Sequence, residues 1–366
     1  MSNRRNWLKQ IGLGTIGLGF CQFEAFANPL EEHILPDLDN SPVLLRSNEN
    51  PYGPSPLARA AMTKMINSTN RYGWDLWPEL ITLLAKKNNV SDNNIILGAG
   101  STEILDLVLQ YTALKKGNFI MAENTFNYWT APYEKLGLKK ITVPLTKDKK
   151  HDLAAMLKAI DSDTKMIYIC NPNNPTGTIC NRDELVSFVK EASQKAIVFV
   201  DEAYIDFTKE QSLSDLVLEN KNLIITKTFS KMYGLAGGRI GYGIAHSSTI
   251  DELNTLKSTP NMSVSVVSTA AAIASLNDNK FIQQVYASNQ EVKKYTIDQL
   301  TQLNLACIPS YSNFIYFSLE NYKKDYFKQL ENHNIQGTRI YEENGKWTRI
   351  TIGTMKEMQR FIEAIK

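Results

Sequence analysis

One lysine of this chain has neighbours that could give it a chemical role. Lys231 lies between Thr228 and Arg239 in the segment TFSKMYGLAGGR, directly after an apolar stretch. A lysine attacks a carbonyl only as the free amine, a form that desolvation or nearby positive charge favours. Thr228, Ser230 and Arg239 supply the hydroxyl and guanidinium donors that bind a phosphate. Taken alone, Lys231 would be interpreted as a solvated surface lysine, so its role depends on the motifs elsewhere in the chain.

Three further motifs also follow apolar stretches. The segment GAGSTE at 98–103 can bring backbone N–H groups to an anion in front of a helix; an ordinary turn is the alternative. The segment NPNNPTG at 171–177 is a loop fixed by prolines and a glycine, which can hold Asn174 in place; a tight connection is the alternative. In VDEAY at 200–204, Asp201 ends an apolar strand. A buried carboxylate there requires a cationic partner, such as a protonated pyridine nitrogen, unless the loop is exposed.

Short apolar runs alternate with helical patterns over most of the chain, which predicts an α/β fold with a mainly parallel sheet. The runs are nearly continuous in Val, Ile and Phe, as in strands covered on both faces by helices. Strands are predicted at 95–97, 118–121, 140–143, 166–170, 196–200 and 223–227. Helices are predicted at 103–111, 183–193 and 280–303. Open sheets of this kind bind ligands at the carboxyl ends of their strands, where all four motifs lie.

The chain has 366 residues, which is too long for one core of ordinary size, and its pattern changes near residue 257. Beyond that point a long helix precedes short strands at 314–317 and 348–352. We therefore predict an N-terminal arm at 28–60, a large domain at 61–256 and a smaller α+β domain at 257–366. The arm is expected to pack with the smaller domain.

The first 27 residues predict a secretory signal. A charged start is followed by about ten apolar residues, too few to span a bilayer, and by an Ala-x-Ala end. The pair Arg4 and Arg5, with Trp7 close behind, resembles a twin-arginine signal. We expect a periplasmic or exported protein with no stable membrane association after export. The alternative is a cytoplasmic protein that begins with a helix.

Charge and cysteine content exclude several other classes. The formal net charge is +2 and its excess lies in the first 27 residues, so no basic footprint for nucleic acid exists. No Cys/His spacing fits a zinc site, and we expect no metal. Cys170, Cys180 and Cys307 would remain after signal removal, so at least one thiol is unpaired within the chain; their state is otherwise left open.

Taken in chain order, these motifs resemble the fold-type I, pyridoxal-phosphate-dependent aminotransferases of class I/II. The likeness is closest to the histidinol-phosphate aminotransferase family, and runs from NENPYGP at 48–54 to RITIG at 349–353. It implies a large domain with a mainly parallel sheet and helices on both faces, and a smaller α+β domain. It also implies pyridoxal 5'-phosphate (PLP) as cofactor, an amino donor and a 2-oxo acid as substrates, and a homodimer.

The resemblance also implies roles at the matching positions. Lys231 would carry PLP as a Schiff base and move a proton, Asp201 would pair with the pyridine nitrogen, and Tyr204 would bind the ring oxygen. Phe126 would stack on the ring, with Tyr128 as a nearby competitor. The remaining cofactor-binding candidates are Ala99, Gly100, Ser101, Asn174, Thr228, Ser230 and Arg239, together with Tyr72 from the neighbouring subunit. The substrate-binding candidates are Arg349 for a carboxylate, Asn50, Tyr52 and Arg339.

Two other functions remain open on the sequence. A PLP-dependent lyase of the threonine-phosphate decarboxylase type would keep every cofactor residue, because the choice of broken bond depends on substrate pose. A non-catalytic PLP-binding module is a remoter alternative, against which the retained lysine, Asp201 and Tyr204 argue. An exported enzyme would also lie away from the intermediates of histidine biosynthesis, which favours a free amino acid as donor. Arg339 is open between an acidic group of the substrate and a surface salt bridge.

Overall fold

The computed structural model describes residues 41–366 of the chain. The predicted signal at 1–27 and the first part of the predicted arm, 28–40, lie outside the described residues. Residues Ser41–Lys366 form a single unit by their internal contacts. None of the helices in this range is long and apolar enough to cross a membrane.

Thirteen strands and ten α-helices lie between residues 41 and 366. The strands are β1 (Val43–Leu44), β2 (Ile95–Gly98), β3 (Gly117–Ala122), β4 (Leu138–Val143), β5 (Thr164–Cys170), β6 (Ile197–Asp201), β7 (Leu223–Thr228), β8 (Gly241–Ala245), β9 (Cys307–Ile308), β10 (Phe314–Ser318), β11 (Ile335–Gln336), β12 (Ile340–Glu342) and β13 (Trp347–Thr351). The helices are α1 (Pro56–Met65), α2 (Leu76–Asn88), α3 (Ser101–Ala113), α4 (Leu153–Lys158), α5 (Arg182–Ala192), α6 (Ser247–Thr255), α7 (Val266–Leu276), α8 (Asn279–Gln302), α9 (Tyr326–Asn332) and α10 (Met355–Ile365).

Seven strands form the large sheet in the order β2-β8-β7-β6-β5-β3-β4. Neighbours are parallel from β7 to β4, and only β8 runs against the strands on both sides of it. Because β2 and β7 both oppose β8, they run in the same direction as the others. The carboxyl ends of β2, β5, β6 and β7 therefore meet at one edge, where all four predicted motifs begin. The expected α/β fold with a mainly parallel sheet is confirmed.

Both faces of this sheet are buried, which explains the unbroken apolar runs. Along β5, Ile167 and Ile169 belong to one apolar cluster, whereas Met166 and Tyr168 belong to the cluster on the opposite face. Side chains of a strand alternate between faces, so both faces need apolar residues when helices cover each of them. The same alternation places Asp201, two residues after Phe199, on the face that holds Tyr168.

A smaller antiparallel sheet in the order β12-β13-β10-β9 forms the second part of the structure. Its apolar residues, including Phe317 and Ile350, pack with Phe361 of α10 in a cluster of their own. Val43 belongs to this cluster, and β1 pairs in parallel with β11. The described end of the arm therefore packs with the smaller sheet. The boundary predicted at 256/257 stays a prediction, although Ala271 of α7 packs in the core of the large sheet.

Candidate active site

The loop between β7 and β8 carries Lys231. Residues of the N-terminal arm form hydrogen bonds with Lys231 and with its loop. The Nζ atom of Lys231 donates to the carbonyl oxygen of Ser47 at 2.9 Å. The same Nζ lies 5.7 Å from the centre of the Tyr204 ring. The side-chain amide of Asn50 donates to the carbonyl of Met232 at 2.8 Å. Asn50, predicted to bind substrate, therefore uses its amide to fix the loop beside Lys231.

The environment of Lys231 favours its free amine. Desolvation, together with the nearby Arg349 guanidinium, lowers the pKa of Lys231 to about 8, although Glu49 and Asp201 act in the opposite direction. The Lys231 side chain keeps some solvent-accessible surface. Packed protein atoms nevertheless surround it closely enough for desolvation to be the largest cause of the lowered pKa. A lysine with a lowered pKa has a larger fraction of nucleophilic amine near neutral pH than an ordinary lysine has.

Asp201 ends β6 with only 2% of its surface exposed. The Tyr168 hydroxyl donates to its Oδ2 at 3.0 Å, and the Ala203 amide donates to its Oδ1 at 3.0 Å. Burial raises the pKa of Asp201 to about 6, although both hydrogen bonds act in the opposite direction. Within 41–366, no lysine, arginine or histidine nitrogen forms an ion pair with it. A buried carboxylate of this kind is suited to a cationic partner that the folded chain itself does not supply.

Two side-chain amides donate hydrogen bonds to the Tyr204 hydroxyl. It accepts from Asn48 Nδ2 at 3.0 Å and from Asn174 Nδ2 at 3.3 Å, while the ring packs edge-on against Phe314 at 5.1 Å. Burial raises the pKa of Tyr204 well above its usual value. Asn48 was not among the predicted site residues. Nothing in its local pattern indicates the role, because it reaches the site from the arm, held there by Thr351 through bonds of 2.9 and 3.1 Å.

Arg349 projects from β13 of the smaller sheet into the same site. It donates through Nη1 to Asn174 Oδ1 at 2.5 Å and through Nη2 to the Arg46 carbonyl at 2.6 Å. Its Nε has no partner among the described residues. The guanidinium also lies 5.3 Å from the Phe314 ring and 5.5 Å from the Tyr341 ring. This planar, buried cation has the geometry for binding a carboxylate.

The predicted phosphate turn lies between β2 and α3. Gly100 has a φ of +81° and caps α3, which begins at Ser101. Arg239 donates to the Ala99 carbonyl at 3.3 Å, so the guanidinium lies beside the turn. Gly241 pairs with both Gly98 and Thr228, which sets the ends of β2 and β7 side by side across β8. The turn and the Arg239 side chain are thus held together by the sheet register.

Two hydroxyl groups at the end of β7 lie near that turn, because β2 and β7 end on either side of β8. Thr228 Oγ1 and Ser230 Oγ are 2.9 Å apart, and both residues are buried. The amide of Ser230 also donates to Thr228 Oγ1 at 3.1 Å. Together with Gly100, Ser101 and Arg239, they offer the donors that a phosphate requires.

The remaining predicted residues form no hydrogen bond with Lys231, Asp201, Tyr204 or Arg349 within residues 41–366. Phe126 is half-buried and packs edge-on against Tyr128 at 5.8 Å. Arg339 is exposed; its guanidinium lies 5.7 Å from the Tyr128 ring, and within 41–366 no carboxylate pairs with it. Tyr72 is 68% exposed and packs on Trp74. Tyr52 is half-buried, with its amide bound to Asn50 at 3.0 Å. Their roles stay predictions.

Three cysteines lie within the described residues. Cys170, Cys180 and Cys307 are all free thiols. Burial raises the pKa of each, so none is an activated nucleophile. Residues 41–366 contain no cluster of acidic, His or Cys side chains that could hold a metal.

The pattern of the family Aminotransferase class I and II matches residues 40–365. The chain belongs to the class I and II aminotransferases. It is 35% identical to a histidinol-phosphate aminotransferase of Moorella thermoacetica over 329 residues, or 88% of this chain and 84% of the relative. It is 36% identical to a histidinol-phosphate aminotransferase of Caldicellulosiruptor saccharolyticus over 88% of this chain and 91% of the relative.

Solved structures show the same fold. The histidinol-phosphate aminotransferase of Sinorhizobium meliloti, in complex with pyridoxal-5'-phosphate, has a TM-score of 0.81 at 24% identity. The match covers 89% of this chain and 90% of that one. An aspartate aminotransferase of Thermus thermophilus with maleate has a TM-score of 0.78 at 16% identity, over 89% and 91%.

Like other class I and II aminotransferases, this chain uses pyridoxal 5'-phosphate. The residues present fit that group. Asp201 is a buried acceptor that lacks a cation, Lys231 has a lowered pKa, and the turn at Gly100 leaves room only for a residue without a side chain. A Cβ atom on Gly100 would lie 2.3 Å from Nη2 of Arg239.

This crowding predicts that Gly100→Ala weakens PLP binding. The methyl group would displace the Arg239 guanidinium, and the φ of +81° would be strained. Loss of one charge-assisted hydrogen bond costs about 1.5–3 kcal/mol, which corresponds to roughly tenfold or more in affinity. Titration of the apoprotein with PLP, followed by absorbance, measures the effect. Gly237→Ala is the matched control, because a Cβ there meets nothing within 4 Å. Equal affinities in both variants would contradict the assignment of the turn.

Proposed function

We propose that this aminotransferase moves an amino group from an amino acid, or a histidinol-phosphate-like amine, to a 2-oxo acid at Lys231. The lowered pKa of Lys231 is the observation that carries the assignment of that residue. The position of Lys231 beside Tyr204, which links the arm to Asn174 and hence to Arg349, supports it further. The names of the relatives support transamination as the reaction.

Each residue of the site then has a defined task. PLP supplies an electron sink for the negative charge that develops at the substrate Cα. Asp201 would pair with the protonated pyridine nitrogen, because a buried carboxylate is stabilised by an adjacent cation. Lys231 Nζ would take the proton from the substrate Cα and deliver it to the cofactor carbon, as a base with a pKa near the working pH does best. Tyr204 orients the ring through its hydroxyl, and Arg349 binds the substrate carboxylate.

A PLP-dependent lyase would use the same cofactor residues, so the site alone does not distinguish the two reactions. The relatives quoted above are aminotransferases, which favours transamination over decarboxylation. A non-catalytic module is disfavoured because Lys231, Asp201, Tyr204 and Arg349 are all retained.

Lys231→Ala should abolish turnover while leaving the fold intact, because it removes the amine proposed to bind PLP and breaks one side-chain hydrogen bond, to the Ser47 carbonyl. The measurement is single-turnover transamination with PLP added, together with circular dichroism to check folding. The control is Lys209→Ala, which removes an exposed lysine. Substantial transamination by the Lys231→Ala protein would refute the assignment.

We propose a free amino acid as the physiological donor. The signal-like residues 1–27 support this, since an exported enzyme is separated from biosynthetic intermediates. The environment of the site also suits an extended substrate. Tyr341 lies between two cations, with its ring 5.5 Å from Arg349 and 5.2 Å from Arg339. We therefore propose that Arg339 contacts a distal acidic or aromatic group of the donor.

We also propose a homodimer in which Tyr72 reaches the neighbouring subunit. The segment 66–74 exposes three large apolar side chains, Ile66 at 58%, Tyr72 at 68% and Trp74 at 62%. Clustered exposed apolar residues of this kind mark interaction surfaces.

A mixing experiment tests the exchange of Tyr72 between subunits. Hybrid dimers of Lys231→Ala and Tyr72→Ala subunits should be more active than either parent protein. The reason is that the Tyr72→Ala subunit supplies Lys231 while its partner supplies Tyr72, so one complete site forms. Differently tagged subunits, co-expressed and purified through both tags, give the hybrid. Activity no higher than half that of the Tyr72→Ala protein would place Tyr72 outside the neighbouring site.

Export is a separate proposal, supported by the pattern of residues 1–27. The full chain, expressed in a bacterium with a twin-arginine pathway, should appear in the periplasm in a shortened form. Changing both Arg4→Lys and Arg5→Lys should retain the full-length protein in the cytoplasm. Cell fractionation followed by mass determination measures both. Wild-type protein of full length in the cytoplasm would overturn the proposal.

A further inference from the structure

One donor of the predicted phosphate turn is already bound to a carboxylate. The backbone N–H of Ala99 donates to Glu103 Oε2 at 2.6 Å, although the family resemblance implies that Ala99 binds the phosphate. The other oxygen of that carboxylate, Oε1, lies 2.7 Å from Lys257 Nζ. An acidic side chain therefore lies at the place where the cofactor brings a phosphate.

Lys257 connects this carboxylate to β2 and to the segment that contains Ser263. Its Nζ donates to the Leu97 carbonyl at 2.9 Å and to Ser263 Oγ at 3.4 Å, and its side chain is only 6% exposed. Burial would raise the pKa of Glu103, but the bonds from Ala99 and Lys257 outweigh it, so the net pKa is lowered and the group stays ionised. The pair thus keeps a fixed negative charge and a fixed positive charge next to each other.

The charge at this place has consequences for anion binding. A phosphate ester carries a charge of about −1.5 to −2 at neutral pH. Arg239 and the N-terminus of α3 attract it, whereas an unpaired Glu103 would repel it. Lys257 cancels that repulsion, and the carboxylate can then hold the Ala99–Gly100 turn without opposing the ligand.

We propose that Glu103 and Lys257 are positioning residues for the cofactor phosphate: Glu103 fixes the turn through the Ala99 amide, and Lys257 neutralises Glu103 so that the turn accepts a dianion. The proposal rests on the phosphate site assigned above. A purely structural tie between the turn and the segment 257–263 is the competing explanation. It would affect every ligand of the site to the same degree, whether or not that ligand carries a phosphate.

The test compares PLP with pyridoxal, which lacks the phosphate but forms the same bond with Lys231. Dissociation constants of both are measured by absorbance titration of the apoprotein. Lys257→Met should weaken PLP binding about tenfold, or about 1.4 kcal/mol, and leave pyridoxal binding unchanged. The double variant Glu103→Gln with Lys257→Met should recover most of the PLP affinity, because it removes the repelling charge as well.

The control is Lys115→Met, which removes the same charge from an exposed position just beyond the opposite end of α3. It should change neither constant. The proposal fails if Lys257→Met weakens both ligands equally, or if the double variant binds PLP as weakly as Lys257→Met does. A wild-type protein that does not prefer PLP over pyridoxal would instead refute the phosphate site itself, which distinguishes the two failures.

Discussion

The burial of Asp201 is the constraint around which the site is arranged. A carboxylate at the end of an apolar strand is costly to ionise, and its pKa is raised to about 6. Desolvation acts on Lys231 in the opposite sense and lowers its pKa to about 8. Both groups are therefore pushed towards their neutral forms in the protein without cofactor. PLP, with a protonatable nitrogen and an aldehyde, suits both groups at once.

Three parts of the chain must meet before this arrangement exists. The large sheet provides Asp201 and the loop of Lys231, the arm provides Asn48, and the smaller sheet provides Arg349. Hydrogen bonds link these parts directly: Asn48 reaches Tyr204, and Arg349 reaches Asn174. The smaller sheet thus contributes Arg349 to the candidate site, and in the proposed function its position would set where the substrate carboxylate binds.

Local sequence predicted what lies at strand ends, because strand and loop signals are short-range. The motifs around Asp201 and Lys231 were located this way. The sequence analysis did not predict β8, because Gly241 and Gly243 interrupt the apolar run that is typical of a strand. Both glycines are required by close packing: a Cβ on Gly241 would lie 2.4 Å from the Ser101 amide, and one on Gly243 would lie 2.9 Å from Ile96. The roles of Asn48 and of the Glu103–Lys257 pair depend on contacts between distant segments, which no local pattern encodes.

In the proposed function, Lys231 and its neighbours carry out transamination with a free amino acid as donor. The most direct measurement is the absorption spectrum of the purified, PLP-loaded protein while single L-amino acids are added without an acceptor. We expect a near-visible cofactor band that at least one amino acid converts to the pyridoxamine form, and that a 2-oxo acid restores. A band that no free amino acid alters would contradict the proposed donor class, and no band at all after PLP addition would contradict the role of Lys231.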